Sequence, residues 1–119
     1  MPTAVITDSG LILNAFVRRA GDGIPFLFVH GLASNARLWD QVAESLMGHG
    51  QDSVAVDHRG HGESAPADDG YDFSTLAGDL AAAVRSQLDR PVIAVGQSWG
   101  GHVVLEFGAR YPDLVAGLA

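Results

Sequence analysis

The stretch PVIAVGQSWGG, residues 91–101, decides the fold of this 119-residue chain. Its first five residues form a continuous apolar run, which is typical of a strand buried on both faces of a parallel sheet. After the glycines, the apolar side chains of Val103, Val104 and Phe107 recur with helical spacing. Because a glycine on either side of Ser98 lets two backbones approach closely, the stretch predicts a strand, a sharp turn that carries Ser98, and a helix.

Shorter apolar runs elsewhere in the chain predict the other strands. Residues 4–7 and 11–19 flank a turn-forming Asp-Ser-Gly triplet and predict an antiparallel hairpin. Residues 25–29 and 53–56 are nearly continuous apolar runs, and they predict two strands that are buried within the sheet. Residues 114–119 are typical of the beginning of a sixth strand.

Two segments between these strands have helical periodicity. In residues 37–47, Leu38, Val42 and Leu46 recur every four positions and are expected to face the core. The other segment begins near residue 73 and ends before Pro91. The candidate N-caps are Ser34 or Asn35 for the first of these helices and Asp72 or Ser74 for the second. Three aromatic side chains at helical spacing are expected in the core: Trp39, Phe73 and Phe107.

Strands that alternate with helices imply right-handed βαβ units. We therefore predict a single partial α/β domain over residues 1–119, with three layers (α/β/α) and a mostly parallel sheet. The sheet begins with an antiparallel hairpin and is truncated at the sixth strand. Ligands of such sheets bind at the carboxyl ends of the strands. Three glycine-rich segments, residues 30–32, 57–64 and 96–101, follow strands three to five and should converge on one crevice.

Ser98 is the candidate nucleophile of this crevice, because G-x-S-x-G between a strand and a helix is the pattern of a nucleophile elbow. The alternative is a glycine-rich turn whose serine only caps the helix. Acyl transfer also needs backbone N–H donors for the oxyanion that forms on the carbonyl oxygen. We expect these donors to be the amide of Trp99, at the positive end of the helix, and the amide of Leu32. The alternative for Leu32 is a core or pocket-lining residue.

Neighbouring residues are expected to shape the crevice. Gly31 permits the tight turn that presents the Leu32 amide, and His30 is expected to organise that loop rather than to transfer protons. The ring of Trp99 is expected to line either the crevice or the core. His102 is a poor candidate base, because it lies on a helix that leads away from Ser98 while the base must approach from the open side.

His58 and His61, together with Asp57 and Glu63, resemble a metal cluster in composition. However, the two histidines lie in a glycine-interrupted loop rather than on a helix, where residues four apart share a face. We therefore expect a structural loop and no metal. The chain contains no G-x-G-x-x-G and no phosphate-binding loop pattern, so we also expect no nucleotide cofactor.

Three blocks of sequence together resemble the N-terminal half of an α/β-hydrolase: HG at residues 30–31, DHRGHGES at residues 57–64 and GQSWGG at residues 96–101. The resemblance covers essentially the whole chain. It implies the strand order 1-2-4-3-5, with the sixth strand beside the fifth. Family members place a catalytic acid and a histidine after the nucleophile, and nothing here matches them. The pocket and loop residues implied by these blocks are His30, Gly31, Gly96, Gln97 and Gly100.

Composition limits the partners of the chain. Fourteen acidic residues against seven basic ones give a net charge of −7, which disfavours nucleic acid. The absence of cysteine excludes disulfides and thiolate sites. The sequence has no signal segment and no apolar run that is long enough for a membrane span, so we expect a cytoplasmic protein without a membrane partner.

Together these features predict a serine-dependent hydrolase that acts by acyl transfer on a small-molecule ester, thioester, lactone or related carbonyl substrate. The resemblance also admits C–C bond hydrolases and acyltransferases. Because the acid and base partners are missing, we expect the segment alone to be inactive. The alternative is a noncatalytic half-domain that self-associates or is completed by another chain or a complementary C-terminal segment, since an uncovered sheet edge exposes unpaired backbone groups.

Overall fold

A mixed six-stranded sheet forms the centre of the molecule, as a computed structural model describing residues 2–119 shows. Its spatial order is β1-β2-β4-β3-β5-β6, which confirms the order implied by the resemblance. The first two pairings are antiparallel and the other three are parallel. The strands are β1 (Pro2–Ile6), β2 (Ile12–Arg18), β3 (Phe26–Val29), β4 (Ser53–Val56), β5 (Val92–Gly96) and β6 (Val115–Leu118).

Helices cover both faces of the sheet, which confirms the three-layer prediction. They are α1 (Asp40–Met47), α2 (Phe73–Gln87) and α3 (Trp99–Arg110), with short 3-10 helices at Ala36–Trp39 and Pro112–Leu114. Asp72 caps α2 by accepting a hydrogen bond from the Thr75 N–H at 3.0 Å. No helix in the described part of the chain is both long and apolar enough to cross a membrane.

Successive side chains along a strand point to opposite faces of the sheet, so the core is divided into two clusters. Leu27 and Val29 of β3 pack with α2 and α3 in the larger cluster, whereas Phe28 belongs to a smaller cluster with Ala43 of α1. This alternation follows from the two-residue period of a strand, which sends successive side chains to opposite faces. The consequence is that β3 is buried on both sides, as its apolar sequence predicts.

The register of the central strands positions the site. Val29 at the end of β3 is paired with Val56 at the end of β4 and with Gly96 at the end of β5. Because the three strands are parallel and stop at the same level, the segments that follow them emerge side by side at one edge of the sheet. The predicted convergence of the three glycine-rich segments is therefore a consequence of the strand register.

The helix expected over residues 37–47 differs from the prediction. Its first turn is the 3-10 helix, in which the Asn35 side chain caps the Arg37 N–H at 2.9 Å, and only the remainder is α-helical. A 3-10 turn has three residues per turn rather than 3.6. The α-helix that follows it therefore presents a different set of side chains to the sheet. Ala36 and Ala43 are consequently buried, while Leu38 and Val42 are 49% and 47% exposed.

The aromatic residues also divide between core and surface. Phe107 is fully buried, as predicted, and Trp39 is half-buried and stacks on Phe28 with ring centroids 4.8 Å apart. The core prediction for Phe73 is wrong, because its side chain is 38% exposed. Its ring lies at the start of α2, where it contacts the rings of Trp99 and His102.

A buried ion pair fastens the loop after β4 to α2. The Arg59 guanidinium donates to both carboxylate oxygens of Asp79, at 2.8 and 2.9 Å, and both side chains are buried. The paired carboxylate holds the pKa of Arg59 above its ordinary value. Two parallel hydrogen bonds fix the direction of the arginine as well as its position, so the loop cannot slide along the helix without breaking them.

We expect Asp79→Asn to lower the free energy of unfolding by about 3 kcal/mol, because it leaves the buried guanidinium of Arg59 without its counter-charge. Urea denaturation would measure the change. Glu106→Gln on α3 is the matched control: it removes the charge that pairs with Arg110 at the surface, and should cost less than about 0.5 kcal/mol. Similar losses in the two variants would contradict the structural role of the buried pair.

Candidate functional site

Ser98 lies next to Gln97 in the two-residue turn between β5 and α3. Its backbone has φ 57° and ψ −122°, a left-handed conformation that is uncommon for a residue with a side chain. The side chain is exposed, and its hydroxyl has no hydrogen-bond partner within residues 2–119. The hydroxyl therefore projects from a strained turn into open space and is free to contact another molecule.

The two glycines that flank this turn are required by close backbone contacts. A Cβ atom on Gly96 would lie 2.5 Å from the Gly100 carbonyl oxygen, and one on Gly100 would lie 2.5 Å from the carbonyl oxygens of both Val29 and His30. Real Cβ atoms do not approach backbone oxygens so closely, so only glycine permits α3 to begin directly against the end of β3. This contact brings the turn and the loop after β3 together.

The loop after β3 runs beside Ser98. The Gly31 N–H donates to the Gln97 side-chain oxygen at 3.1 Å, and a Cβ on Gly31 would lie 3.5 Å from the Cβ of Ser98. The next residue, Leu32, has a 64% exposed side chain. Neither the Leu32 N–H nor the Trp99 N–H donates to any group in the described part of the chain. Two free backbone donors thus lie on the two segments that meet at Ser98.

Two buried histidines join this loop to the segment after β4. His30 donates from Nδ1 to the Gly31 carbonyl at 2.6 Å and accepts the His58 N–H at Nε2, 3.0 Å away. His58 in turn donates from Nε2 to the His30 carbonyl at 3.1 Å. As neutral rings, His30 bridges two backbone groups and His58 donates to one, so neither is placed to move a proton to or from Ser98.

Burial keeps both rings neutral. Burial, together with the smaller effect of the neighbouring His30, lowers the pKa of His58 to about 3. Burial also lowers the pKa of His30 below the ordinary histidine value. The cause is that a low-polarity environment disfavours the charged imidazolium. The Nδ1 atom of His58 is buried without a hydrogen-bond partner within residues 2–119.

Asp57 ties three further segments to this edge of the sheet. Its carboxylate accepts from the Ala36 N–H at 2.7 Å, from the Glu63 N–H at 3.0 Å and from the side-chain amide of Asn14 at 3.0 Å. Its oxygens therefore accept from two loop amides and from one side chain of β2. Within residues 2–119, no three His, Asp or Glu side chains are grouped so that they could hold a metal ion.

Aromatic rings cover one side of the turn. The ring of Trp99 packs edge-on against His58 at 5.4 Å and over His61 at 6.4 Å, and it contacts Phe73. The sequence did not decide whether the Trp99 side chain lines the crevice or the core. The structure places it in this half-buried aromatic cluster. His102 is exposed and stacks on Phe73 at 5.7 Å, without a hydrogen bond to Ser98.

An open groove adjoins Ser98, and His102 is among its lining residues. It has a volume of about 400 Å³ and runs between α3 and β6. Leu105 and Leu118, which line it, are 61% and 44% exposed. Nothing in the sequence indicated this groove, because its lining comes from a helix and a strand whose spatial proximity follows from the sheet order. The sequence also did not predict the hydrogen bond from Asn14 to Asp57, because an asparagine within a strand gives no sequence signal.

Comparison with known proteins agrees with this architecture. The family model of the alpha/beta hydrolase fold matches residues 24–119. The chain therefore belongs to the α/β-hydrolase fold family. It is similar to a non-heme chloroperoxidase, CPO-A1, from Kitasatospora aureofaciens, with 33% identity over 93% of this chain and 39% of the relative. It is also similar to a 2-(acetamidomethylene)succinate hydrolase from Mesorhizobium japonicum, with 36% identity over 83% of this chain and 35% of the relative.

A solved structure shows the same arrangement. The esterase EaEST from Exiguobacterium antarcticum superposes with a TM-score of 0.89 and 27% sequence identity, over 99% of this chain and 44% of that chain. The present chain thus spans about two fifths of the length of the curated relatives named above. The shared part includes the sheet from β1 to β6 and the turn that carries Ser98.

We expect Gly100→Ala to lower the free energy of unfolding by about 2–3 kcal/mol, because the new methyl group meets two backbone carbonyls that cannot rotate away. Gly101→Ala is the matched control on the same helix. A Cβ there has its nearest neighbour at 3.9 Å, so this change should be neutral or stabilise the protein by up to about 1 kcal/mol. Equal effects in chemical denaturation would contradict the close-contact argument.

We also expect the free energy of unfolding to fall between pH 7 and pH 5. The folded His58 stays neutral down to about pH 3, whereas the unfolded chain binds a proton near pH 6.5, so acid favours unfolding in the window from 6.5 to 3. His58 alone contributes a loss of up to about 2 kcal/mol by pH 5. His58→Phe should show a smaller difference between the two pH values in urea denaturation. An unchanged difference would show that His58 does not carry this linkage.

Proposed function

We propose that this chain carries the nucleophile and the oxyanion site of a serine hydrolase. The single observation that carries the proposal is the environment of Ser98: an exposed hydroxyl without a protein partner, held in a strained turn at the N-terminus of α3. A serine that served only as a helix cap would use its oxygen to accept an N–H of the first turn. The Ser98 side chain makes no such hydrogen bond.

The proposed reaction is acyl transfer. The Ser98 Oγ attacks the carbonyl carbon of an ester, thioester or lactone, a C–O bond forms, and the hydroxyl proton passes to a base. Collapse of the tetrahedral intermediate expels the alcohol or thiol, which takes up a proton. Water then attacks the acyl-serine, which releases the carboxylic acid and restores the Ser98 hydroxyl. The protein needs no redox partner for these steps.

The amides of Trp99 and Leu32 are the proposed oxyanion donors. Both are free within residues 2–119, and they belong to the two segments that meet beside Ser98. Trp99 is the first residue of α3, where the helix dipole adds to the attraction for a negative oxygen. Each donor of this kind contributes on the order of 3 kcal/mol to transition-state stabilisation, because it is oriented before charge develops.

The base is proposed to come from outside the described residues. Both nitrogens of His30 and of His61 are committed to backbone groups, and burial keeps His58 neutral and bonded to a carbonyl. His102 is exposed, but its ring stacks on Phe73 and does not contact the Ser98 hydroxyl. The chain covers 39% and 35% of the two curated relatives, and we propose that the base belongs to the rest of the protein.

The groove between α3 and β6 is the proposed site for an apolar part of the substrate. Ser98 lies on its wall together with Leu105 and Leu118. A carbonyl carbon placed at the serine hydroxyl would let an attached hydrocarbon chain run along these exposed leucines, where its burial contributes roughly 0.8 kcal/mol per CH₂ group. The proposed partner is thus a small-molecule acyl compound with an apolar substituent.

Labelling with a fluorophosphonate probe tests the proposal, because the probe forms a covalent bond with an activated serine. The protein as expressed from its own gene should be labelled, and Ser98→Ala should abolish labelling and lower kcat/KM for a chromogenic ester at least about a thousandfold. Ser45→Ala, an exposed serine on α1, is the matched control and should be labelled like the native protein. Equal ester hydrolysis by Ser98→Ala and the native protein would show that Ser98 is not the nucleophile.

A further inference from the structure

Three backbone amides around Leu32, in the loop after β3, donate hydrogen bonds to neighbouring groups. The Gly31 N–H donates to Gln97 Oε1 at 3.1 Å, the Ala33 N–H donates to His61 Nε2 at 3.2 Å, and the Ser34 N–H donates to the Gly31 carbonyl at 3.3 Å. The Leu32 N–H lies between the first two and has no partner within residues 2–119. The loop is thus held on both sides of the free Leu32 N–H.

The second hydrogen bond of the His61 ring determines that Nε2 acts as an acceptor. Its other nitrogen, Nδ1, donates to the Arg59 carbonyl at 2.9 Å. A neutral imidazole carries one N–H, so Nε2 keeps the lone pair that receives the Ala33 N–H. Arg59 itself is fixed by the two hydrogen bonds to Asp79 of α2. The position of Ala33 is therefore tied through His61 to the buried ion pair.

Ring contacts hold the His61 side chain in this direction. Its centroid lies 5.1 Å from that of His30 and 6.4 Å from those of Trp99 and Tyr71. The half-buried ring thus lies between the loop after β3 and the turn of Ser98. Both of its nitrogens are used by backbone groups, which leaves none to exchange a proton with Ser98. His61 is placed to orient the loop and not to act as the base.

The loop needs such an anchor because Ala33 is strained. It has φ 60°, and apart from Ser98 it is the one residue other than glycine with a positive φ within residues 2–119. For alanine this conformation costs roughly 1–2 kcal/mol, so it persists only where surrounding contacts fix it. Release of Ala33 into an ordinary conformation would rotate the peptide groups that precede it, and the Leu32 N–H with them.

We propose that His61 is a positioning residue which, opposite Gln97, aims the Leu32 amide at the oxyanion. This inference rests on the proposed function of Ser98. The proposed acyl-transfer steps do not themselves involve His61, so the positioning role is additional to them. Loss of the Nε2 acceptor should misdirect one oxyanion donor while leaving the nucleophile and the groove in place. The effect should therefore fall on the transition state and not on substrate binding.

Two substitutions separate the acceptor from the ring. His61→Phe keeps an aromatic ring but removes the acceptor, and we expect kcat for an ester to fall about tenfold to a hundredfold with KM changed less than about twofold. His61→Gln supplies a side-chain oxygen without a ring and should recover part of the lost kcat. His49→Phe, at an exposed histidine after α1, is the matched control and should keep the native kcat.

A spectroscopic readout tests the contact independently of activity. An N–H···N hydrogen bond transmits a scalar coupling between its two nitrogens, so the native protein labelled with ¹⁵N should show a coupling between the Ala33 amide nitrogen and His61 Nε2. Its absence would overturn the proposal, and this measurement decides the matter if His61→Phe does not fold. A native kcat in a folded His61→Phe, or a loss that His61→Gln does not reduce at all, would also overturn it.

The same set of variants distinguishes this inference from the proposed function. If Ser98→Ala hydrolyses the ester as fast as the native protein, the function assigned to Ser98 is wrong, whatever the His61 variants do. If Ser98→Ala is inactive and His61→Phe retains the native kcat, Ser98 keeps its role and only the positioning role of His61 is overturned.

Discussion

The close contact between the start of α3 and the end of β3 is the constraint on which the site depends. The carbonyl oxygens of Val29 and His30 leave no room for a side chain on Gly100. Because glycine has none, the helix can begin immediately after the strained turn. This contact places the Ser98 hydroxyl at the sheet edge and the Trp99 amide beside the loop after β3. A wider separation would loosen the turn, because a strained backbone persists only where surrounding contacts fix it.

A set of buried polar contacts keeps that edge rigid. The side chains of Asp57, His30 and His58 each hydrogen-bond to backbone groups of neighbouring loops. The Arg59–Asp79 pair fixes the following segment to α2. Buried polar groups are costly unless they are hydrogen-bonded. Once paired, they specify a single arrangement of the loops. Backbone donors stabilise the charge of a transition state only if they are already oriented when that charge develops. Folding supplies this orientation.

Much of this fold was predictable, because it rests on local patterns. The apolar runs at residues 25–29 and 53–56 predicted β3 and β4, and the hairpin, the third helix and the sixth strand followed from similar signals. The prediction failed where packing overrode periodicity. Leu38 and Val42 have helical spacing but lie at the surface, since the 3-10 turn before α1 turns Ala43 toward the sheet instead. Phe73 is exposed because the rings that it contacts are not in the core: Trp99 is half-buried and His102 is exposed.

The sequence by itself determined the order of strands and helices, the glycine-flanked turn and the identity of Ser98 as the candidate nucleophile. These depend on residue type and spacing over short distances, which a single chain displays directly. Only the tertiary structure decided which backbone amides are free, which histidine nitrogens accept, and where the groove lies. Those properties arise from contacts such as Ala33 with His61 and Gly31 with Gln97, 28 and 66 residues apart in the chain. Separations of this size carry no local pattern, so the register of the sheet has to bring the partners together.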